Sequence, residues 1–192
     1  MKTIVWDVDD VLNDLMRGWF EMQWRKAHPG CTLTYEQISE NPPHRVLGAT
    51  LAQYQESLDS FRITGFSRLP PNPVVLAWFH EHGTRFRHVA LTSVPLSGAG
   101  VSASWVLKHF GSWIHSFNVV PSPRDGDSFV RHDRTKAGFL EWWGQPVIMI
   151  DDNYETIQAV RKSGFEAILV SRPWNAGGQT MEDVLASLSN MR

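Results

Sequence analysis

Cysteine is nearly missing from this sequence: Cys31 is the only one in 192 residues. A lone thiol cannot close an internal disulfide, which excludes a disulfide-stapled scaffold and favours a reducing compartment. Long apolar runs are missing too. No window approaches the ~18 consecutive apolar residues that span a bilayer. The short apolar stretch after Met1 is too brief for a secretory signal and runs at once into carboxylates. The expectation is a cytoplasmic protein with no membrane partner. Charge of one sign is also lacking, with 18 Lys and Arg against 20 Asp and Glu and a net charge of -2. That excludes a global basic footprint, so a nucleic-acid polymer is not an expected partner. A small anionic substrate would have to be held by a few local residues and a metal. The eight histidines show no metal-ligand spacing on a single helix.

What is present is the composition of a folded globular protein, 42% apolar and 20% charged, without low-complexity segments or internal repeats. The length suits one α/β domain with a modest insertion. Nine tryptophans must be mostly core, since large aromatics dominate core energetics.

Residues 2–6 form an apolar run too short for a helix, read as a buried strand that stops at Asp7. Apolar residues at helical spacing over 13–28, including Leu15, Trp19 and Met22, predict a helix ended by Pro29-Gly30. Thr34 and Gln37 look like a capping box for a short helix stopped by Pro42-Pro43. A further helix is expected over 50–61, with Leu51, Tyr54, Leu58 and Phe61 on one side. From Asn72, which can cap a helix starting at Pro73, the pattern changes to strand-helix alternation. Strands are expected at 87–91, 114–120, 146–150 and 167–170, with helices at 98–110, 135–143, 153–163 and 180–188 between and after them. Such alternation predicts a parallel sheet flanked by helices. The expected organisation is an α/β core of residues 1–12 and 70–192, with a mostly helical insertion over 13–69.

On an open parallel sheet, ligands bind beyond the carboxyl ends of strands. Asp7, Asp9 and Asp10 follow the first strand, Thr92 and Ser93 the second, and Asp151, Asp152 and Asn153 the strand at 146–150. Lys136 opens the helix before that last strand. Carboxylates crowded at one rim repel unless a cation neutralises them. Oxygen ligands from carboxylates and a phosphate are what Mg²⁺ prefers. With the metal and Lys136 offsetting the phosphate's charge, a carboxylate can attack phosphorus. Thr92 and Ser93 can bind phosphate oxygens, and Asp9 can serve as general acid and then base.

The run Ile4-Val5-Trp6-Asp7-Val8-Asp9-Asp10-Val11-Leu12 resembles the first motif of the haloacid dehalogenase superfamily. His88-Val89-Ala90-Leu91-Thr92-Ser93 resembles its second, Lys136 its third, and Val147-Ile148-Met149-Ile150-Asp151-Asp152 its fourth. All four occur in the superfamily's order. The resemblance implies a Rossmann-like core with a helical cap after the first strand, and Mg²⁺ as cofactor. It implies Asp7 as nucleophile and metal ligand. Asp9 would be general acid and base with its backbone carbonyl on the metal. Thr92 and Lys136 would bind phosphate, and Asp151 would be a metal ligand with Asp152 supporting it. Within the superfamily, Leu91-Thr92-Ser93, Ser104 to Gly111, and Arg172-Pro173-Trp174-Asn175 look like the 5'(3')-deoxyribonucleotidases. Those enzymes usually carry glycine where this chain has Asp10, and the segment around Lys136 differs in spacing.

Simpler roles compete at several positions. Asp10 is expected to shape a turn, since aspartate tolerates unusual backbone conformations. Thr92 and Ser93 could cap the next helix, and Asn153 is expected to cap its own. Arg131 and Arg134 compete with Lys136 for the phosphate. Phe20 and Trp24 are candidates for stacking on a substrate base, against a core role for aromatics at helical spacing. Arg172 to Asn175 could be a turn or a substrate contact. The functional expectation is a phosphomonoester hydrolase acting on nucleoside monophosphates. The alternatives are the same chemistry on another small molecule, such as a sugar phosphate, or a non-enzymatic phospho-acceptor or binding protein. Receiver domains also gather aspartates, a hydroxyl and a lysine, but they take their acceptor from a middle strand and lack an insertion of this size.

Overall fold

A computed structural model describes residues 1–175 and 177–191. Five parallel strands form one sheet in the order β3-β2-β1-β4-β5: β1 (Thr3–Trp6), β2 (Arg87–Thr92), β3 (Ile114–Val119), β4 (Val147–Asp151) and β5 (Glu166–Leu169). β1 is central, pairing with β2 through Ile4↔His88 and with β4 through Ile4↔Ile148. The order reverses at β1, which places the carboxyl ends of β1, β2 and β4 side by side.

Alternate residues of each strand face opposite sides of a sheet, and both sides here are covered. Ile4, Trp6, Ala90 and Ile150 point into one apolar layer, whereas Val5, Val89, Leu91 and Met149 point into another. The first layer is closed by α4 (Pro73–His82), α5 (Leu96–Phe110) and α8 (Met181–Ser189), the second by α6 (Lys136–Trp143) and α7 (Tyr154–Lys162). Burial on both faces explains why these strands read as unbroken apolar runs. Trp6 meets the polar needs of its ring inside the core by donating its Nε1–H to His88 Nδ1 at 3.0 Å.

The caps expected of Asn72 and Asn153 form: Asn72 accepts from Val74 N with Pro73 as first helical residue, and Asn153 accepts from Thr156 N. Thr135 and Thr180 cap their helices as well, accepting from Gly138 N and Asp183 N. α5 starts at Leu96, two residues before the sequence expectation, with Pro95 preceding it.

Residues between β1 and α4 lie over the carboxyl edge of the sheet. α1 (Leu15–Trp19) runs through a π-helical stretch, Phe20–Trp24, into α2 (Arg25–Ala27). α3 (Leu51–Thr64) packs against it, with Trp19 Nε1 and Gln23 Nε2 donating to Ser57 Oγ at 3.1 and 3.2 Å. The Thr34–Gln37 box produces only a single 3-10 turn, Tyr35–Gln37, so the short helix expected there is not formed. The two strands of chain entering and leaving this region are tied together: Asn13 and Pro71 form an antiparallel bridge, and Asn72 N donates to Leu12 O at 2.8 Å. Trp105 of α5 fastens the exit by donating to Leu69 O at 2.8 Å. No helix among the described residues is long and apolar enough to cross a membrane.

Candidate active site

Asp7 is the first residue beyond β1, held in line by its N–H on Ile150 O at 2.9 Å. Asp151 ends β4 and Asp152 follows it. The carboxylates of Asp7, Asp151 and Asp152 are buried, and one oxygen from each lies within 4.8 Å of the others. Lys136, the first residue of α6, reaches into this cluster. Its Nζ is 2.8 Å from Asp7 Oδ1 and 2.7 Å from Asp151 Oδ2. Val8 N also donates to Asp7 Oδ1 at 2.7 Å, and Asn153 N donates to Asp151 Oδ1 at 2.8 Å.

Burial raises the Asp7 carboxyl well above its ordinary range; Lys136 opposes this, while Asp151, Asp152 and Asp9 add to it. Burial, with Asp151 and Asp10, raises Asp152 in the same way. Burial alone would lower the Lys136 ammonium, but Asp151 and Asp7 outweigh it and hold it above its usual value. One lysine therefore faces three enclosed carboxylates, and the floor is short of positive charge. An all-oxygen donor set of this kind fits a hard divalent cation such as Mg²⁺.

Above the floor lies a cavity of about 310 Å³. Asp9, Thr92, Ser93, Lys136 and Asn153 line it from the strand ends and the segments that follow them, and Asn41, Tyr54, Gln55, Leu58 and Arg62 are among those lining it from the residues between β1 and α4. Thr92 is 1% exposed, and its Oγ1 has no hydrogen-bond partner among the described residues. It does not cap α5, whose N-terminal residue is capped by no side chain. A buried hydroxyl left unpaired is costly, and a ligand oxygen in the cavity would satisfy it. Arg131 and Arg134 are both exposed and do not line the cavity, whereas Lys136 is 5% exposed at its floor.

Asp9 sits differently from the other carboxylates. Its Oδ2 is paired with Arg62 NH1 of α3 at 2.5 Å, and its Oδ1 has no partner. Arg124, in the loop after β3, grips Asp59 of α3 through Nε at 2.6 Å and NH2 at 2.9 Å. These two neighbouring pairs, with Arg62 Nε 4.0 Å from Asp59 Oδ1, tie α3 to the core beside the cavity. Sequence reasoning missed both arginines. For Arg62 a signal existed: it continues the Tyr54-Leu58 row at the i+4 spacing, and a cation at the end of an inward row needs a partner.

Asp10 shapes the turn as expected. It is the only non-glycine among the described residues with positive φ, at 60°. Its Oδ1 accepts from Met16 N at 2.9 Å, in the first turn of α1. Burial pushes its carboxyl up to about 7, against the Arg172 guanidinium and the Met16 N–H. Arg172-Pro173-Trp174-Asn175 braces this corner and does not line the cavity. Arg172 Nε donates to Asp10 O at 2.7 Å, Trp174 Nε1 to Asp152 Oδ2 at 2.8 Å, and Asn175 Nδ2 to Asp152 O. Asp152 thus belongs to the carboxylate trio, closer in than the supporting position expected of it.

Phe20 and Trp24 are corrections. Phe20 is 0% exposed and Trp24 3%, and neither lines the cavity. Trp24 packs on Trp19 and stacks on His28 at 3.9 Å, away from the cavity lining. Helical periodicity shows that aromatics share a face but not what covers that face, and here α3 covers it. Tyr54 is the one aromatic in the cavity lining.

No protein-family model matches the chain, and no curated protein matches it. Solved structures do. A predicted phosphatase from Clostridium acetobutylicum superposes with a TM-score of 0.63 at 16% identity, covering 99% of both chains. A haloacid dehalogenase-like hydrolase from Streptococcus pneumoniae gives 0.62 at 13% identity over 98% of both. An L-2-haloacid dehalogenase gives 0.55 at 18% identity over 98% of this chain and 99% of its own. Phosphatase and dehalogenase share this architecture, so activity has to be argued from the side chains. With its five parallel strands and the helices over their carboxyl edge, the chain has the haloacid dehalogenase-like hydrolase fold.

Proposed function

We propose that this protein is a Mg²⁺-dependent phosphomonoester hydrolase that passes the phosphoryl group through Asp7 to water. The observation that carries this reading is the charge balance of the floor, three buried carboxylates against one lysine, beneath an unpaired Thr92 hydroxyl. Asp7, Asp151 and the backbone carbonyl of Asp9 would hold the metal, with Asp152 beside them. When bound, Mg²⁺ would neutralise the carboxylates and the phosphate oxygens, so that two anions can approach.

Asp7 Oδ1 is held by Val8 N and Lys136, which leaves Oδ2 to attack phosphorus. The Asp7–phosphorus bond forms as the bond to the leaving oxygen breaks, and Asp9 gives that oxygen a proton. Thr92, Ser93 and Lys136 bind the phosphate oxygens. Water then attacks phosphorus, Asp9 takes its proton, and Asp7 is released as a carboxylate. The buried, pre-positioned donors need no reorganisation at the moment of reaction.

The substrate is a small phosphomonoester. The nucleotide expectation came from the resemblance to the 5'(3')-deoxyribonucleotidases, and the two aromatics that were candidates for stacking on a base, Phe20 and Trp24, are buried away from the cavity. A cavity of about 310 Å³ with Tyr54 as its one aromatic and several polar cap residues suits a compact polar molecule, of the sugar-phosphate kind, at least as well. A cytoplasmic setting belongs to this reading. The test is turnover of p-nitrophenyl phosphate by purified protein with Mg²⁺, in excess chelator, and after Mg²⁺ is restored. The expected pattern is active, inactive, active; full turnover in chelator would overturn the mechanism.

A further inference from the structure

We propose that Arg62 is the seat for a second anionic group on the substrate, and that in the ligand-free protein Asp9 occupies that seat in its place. The inference rests on the hydrolase reading above and adds a substrate class to it.

Arg62 is 8% exposed, lines the cavity from α3, and faces the floor across it. Among the described residues its one close partner is Asp9 Oδ2, its Nε has no hydrogen-bond partner, and Asp59 Oδ1 is 4.0 Å away. Arg124 offers a contrast. Its Nε and NH2 donate to the two oxygens of Asp59, so it is already satisfied. Arg62 is satisfied only through a carboxylate with another task. To reach a leaving oxygen, Asp9 must give up the guanidinium. That would leave a buried arginine with only Asp59, 4.0 Å away and already held by Arg124, which is unfavourable.

A substrate carrying a carboxylate or a second phosphate removes that penalty. One anion leaves the guanidinium as another takes its place, so the charge around Arg62 is unchanged; the freed Asp9 carboxylate takes up a proton from solvent and can then pass it to the leaving oxygen. The planar fork of arginine suits either group. A substrate with a neutral tail gives Arg62 nothing, and Asp9 stays masked. The same contact therefore discriminates between substrates and keeps the Asp9 carboxylate occupied until one of the right charge arrives.

The test compares matched esters: propyl phosphate, the phosphate ester of 3-hydroxypropionate, and propane-1,3-diol bisphosphate, each with Mg²⁺-loaded protein. One anionic ester or both should exceed propyl phosphate in kcat/KM by roughly tenfold to a hundredfold, the size expected of a charge-assisted hydrogen bond. Which one does so separates a carboxylate from a phosphate as the second group. Arg62→Gln should bring that ratio close to one, and Arg62→Lys should retain part of it. Titration calorimetry on Mg²⁺-loaded Asp7→Asn protein should show the same preference in binding, and adding Arg62→Gln should erase it. Hydrolysis of all three esters at equal kcat/KM, or a preference that survives Arg62→Gln, would overturn the proposal and leave the hydrolase reading standing. A binding preference without turnover of any ester would do the opposite.

Discussion

Lys136 Nζ lies 2.7 Å from Asp151 Oδ2, and Asp151 is fully buried. The same ammonium is 2.8 Å from Asp7 Oδ1. One cation thus spans the ends of two neighbouring strands, β1 and β4, and fixes the spacing of the two carboxylates that the mechanism needs. Its position as first residue of α6, just after the Thr135 cap, is what aims it at the floor.

Removing that cation should be severe. Lys136→Ala leaves Asp7 and Asp151 buried without their partner, and breaking a buried pair from one side costs about 3–5 kcal/mol. Phosphatase activity should fall at least about a hundredfold, equivalent to two steps of 1.36 kcal/mol in the barrier. Arg131→Ala and Arg134→Ala remove exposed charges and should change activity less than about twofold, in keeping with the small worth of surface charges. Steady-state kinetics on the three variants decides this; an arginine variant as impaired as Lys136→Ala would mean that the loop, and not α6, supplies the phosphate-binding cation.

The chain's ordered motifs made the floor legible. Asp7 and Asp151 each follow an apolar run, and the rule that parallel strands present ligands at their carboxyl ends converts that pattern into a site. Asp10 was legible from the chemistry of aspartate at positive φ. The mouth was not legible in the same way. Arg62 and Arg124 acquire their roles only when α3 settles over the sheet edge, and that docking is set by contacts such as Trp105 on Leu69, far away in sequence. Phe20 and Trp24 failed for a related reason: their spacing identifies a buried face, and the partner that buries it is α3.

Phe20 should therefore behave as a core residue. Phe20→Ala should lower stability by about 3–5 kcal/mol, the usual range for deleting a buried aromatic ring. Relative activity on a nucleoside monophosphate and on p-nitrophenyl phosphate should stay unchanged in the protein that remains folded. Denaturant melts paired with two-substrate kinetics would check this. A selective loss on the nucleotide would return Phe20 to the substrate site.

His88 gives the fold a pH-dependent term away from the site. Burial lowers its imidazole from 6.5 to about 4, only partly offset by its bond to Gly83 O at 2.8 Å. The folded state thus holds His88 neutral where the unfolded chain would protonate it. Its contribution is complete above pH 6.5 and is lost as pH falls from there to about 4. The whole swing is about 3 kcal/mol at most. His88→Gln can accept from Trp6 Nε1 and donate to Gly83 O without titrating. Between pH 7 and 4.5 the variant should lose less stability than the wild type in urea melts. Parallel losses would show that His88 titrates alike in both states.

The most direct test of the central claim is a search for phosphate on Asp7. Protein with Mg²⁺ is mixed with a phosphomonoester it turns over, quenched in acid within the first turnovers, digested, and examined by mass spectrometry. The account predicts that the peptide containing Asp7 gains the mass of one phosphoryl group, mapped to that residue, and that Asp7→Asn protein gains none. Turnover with no phosphoryl group on Asp7, or the group found on Asp9, Asp151 or Asp152, would contradict it.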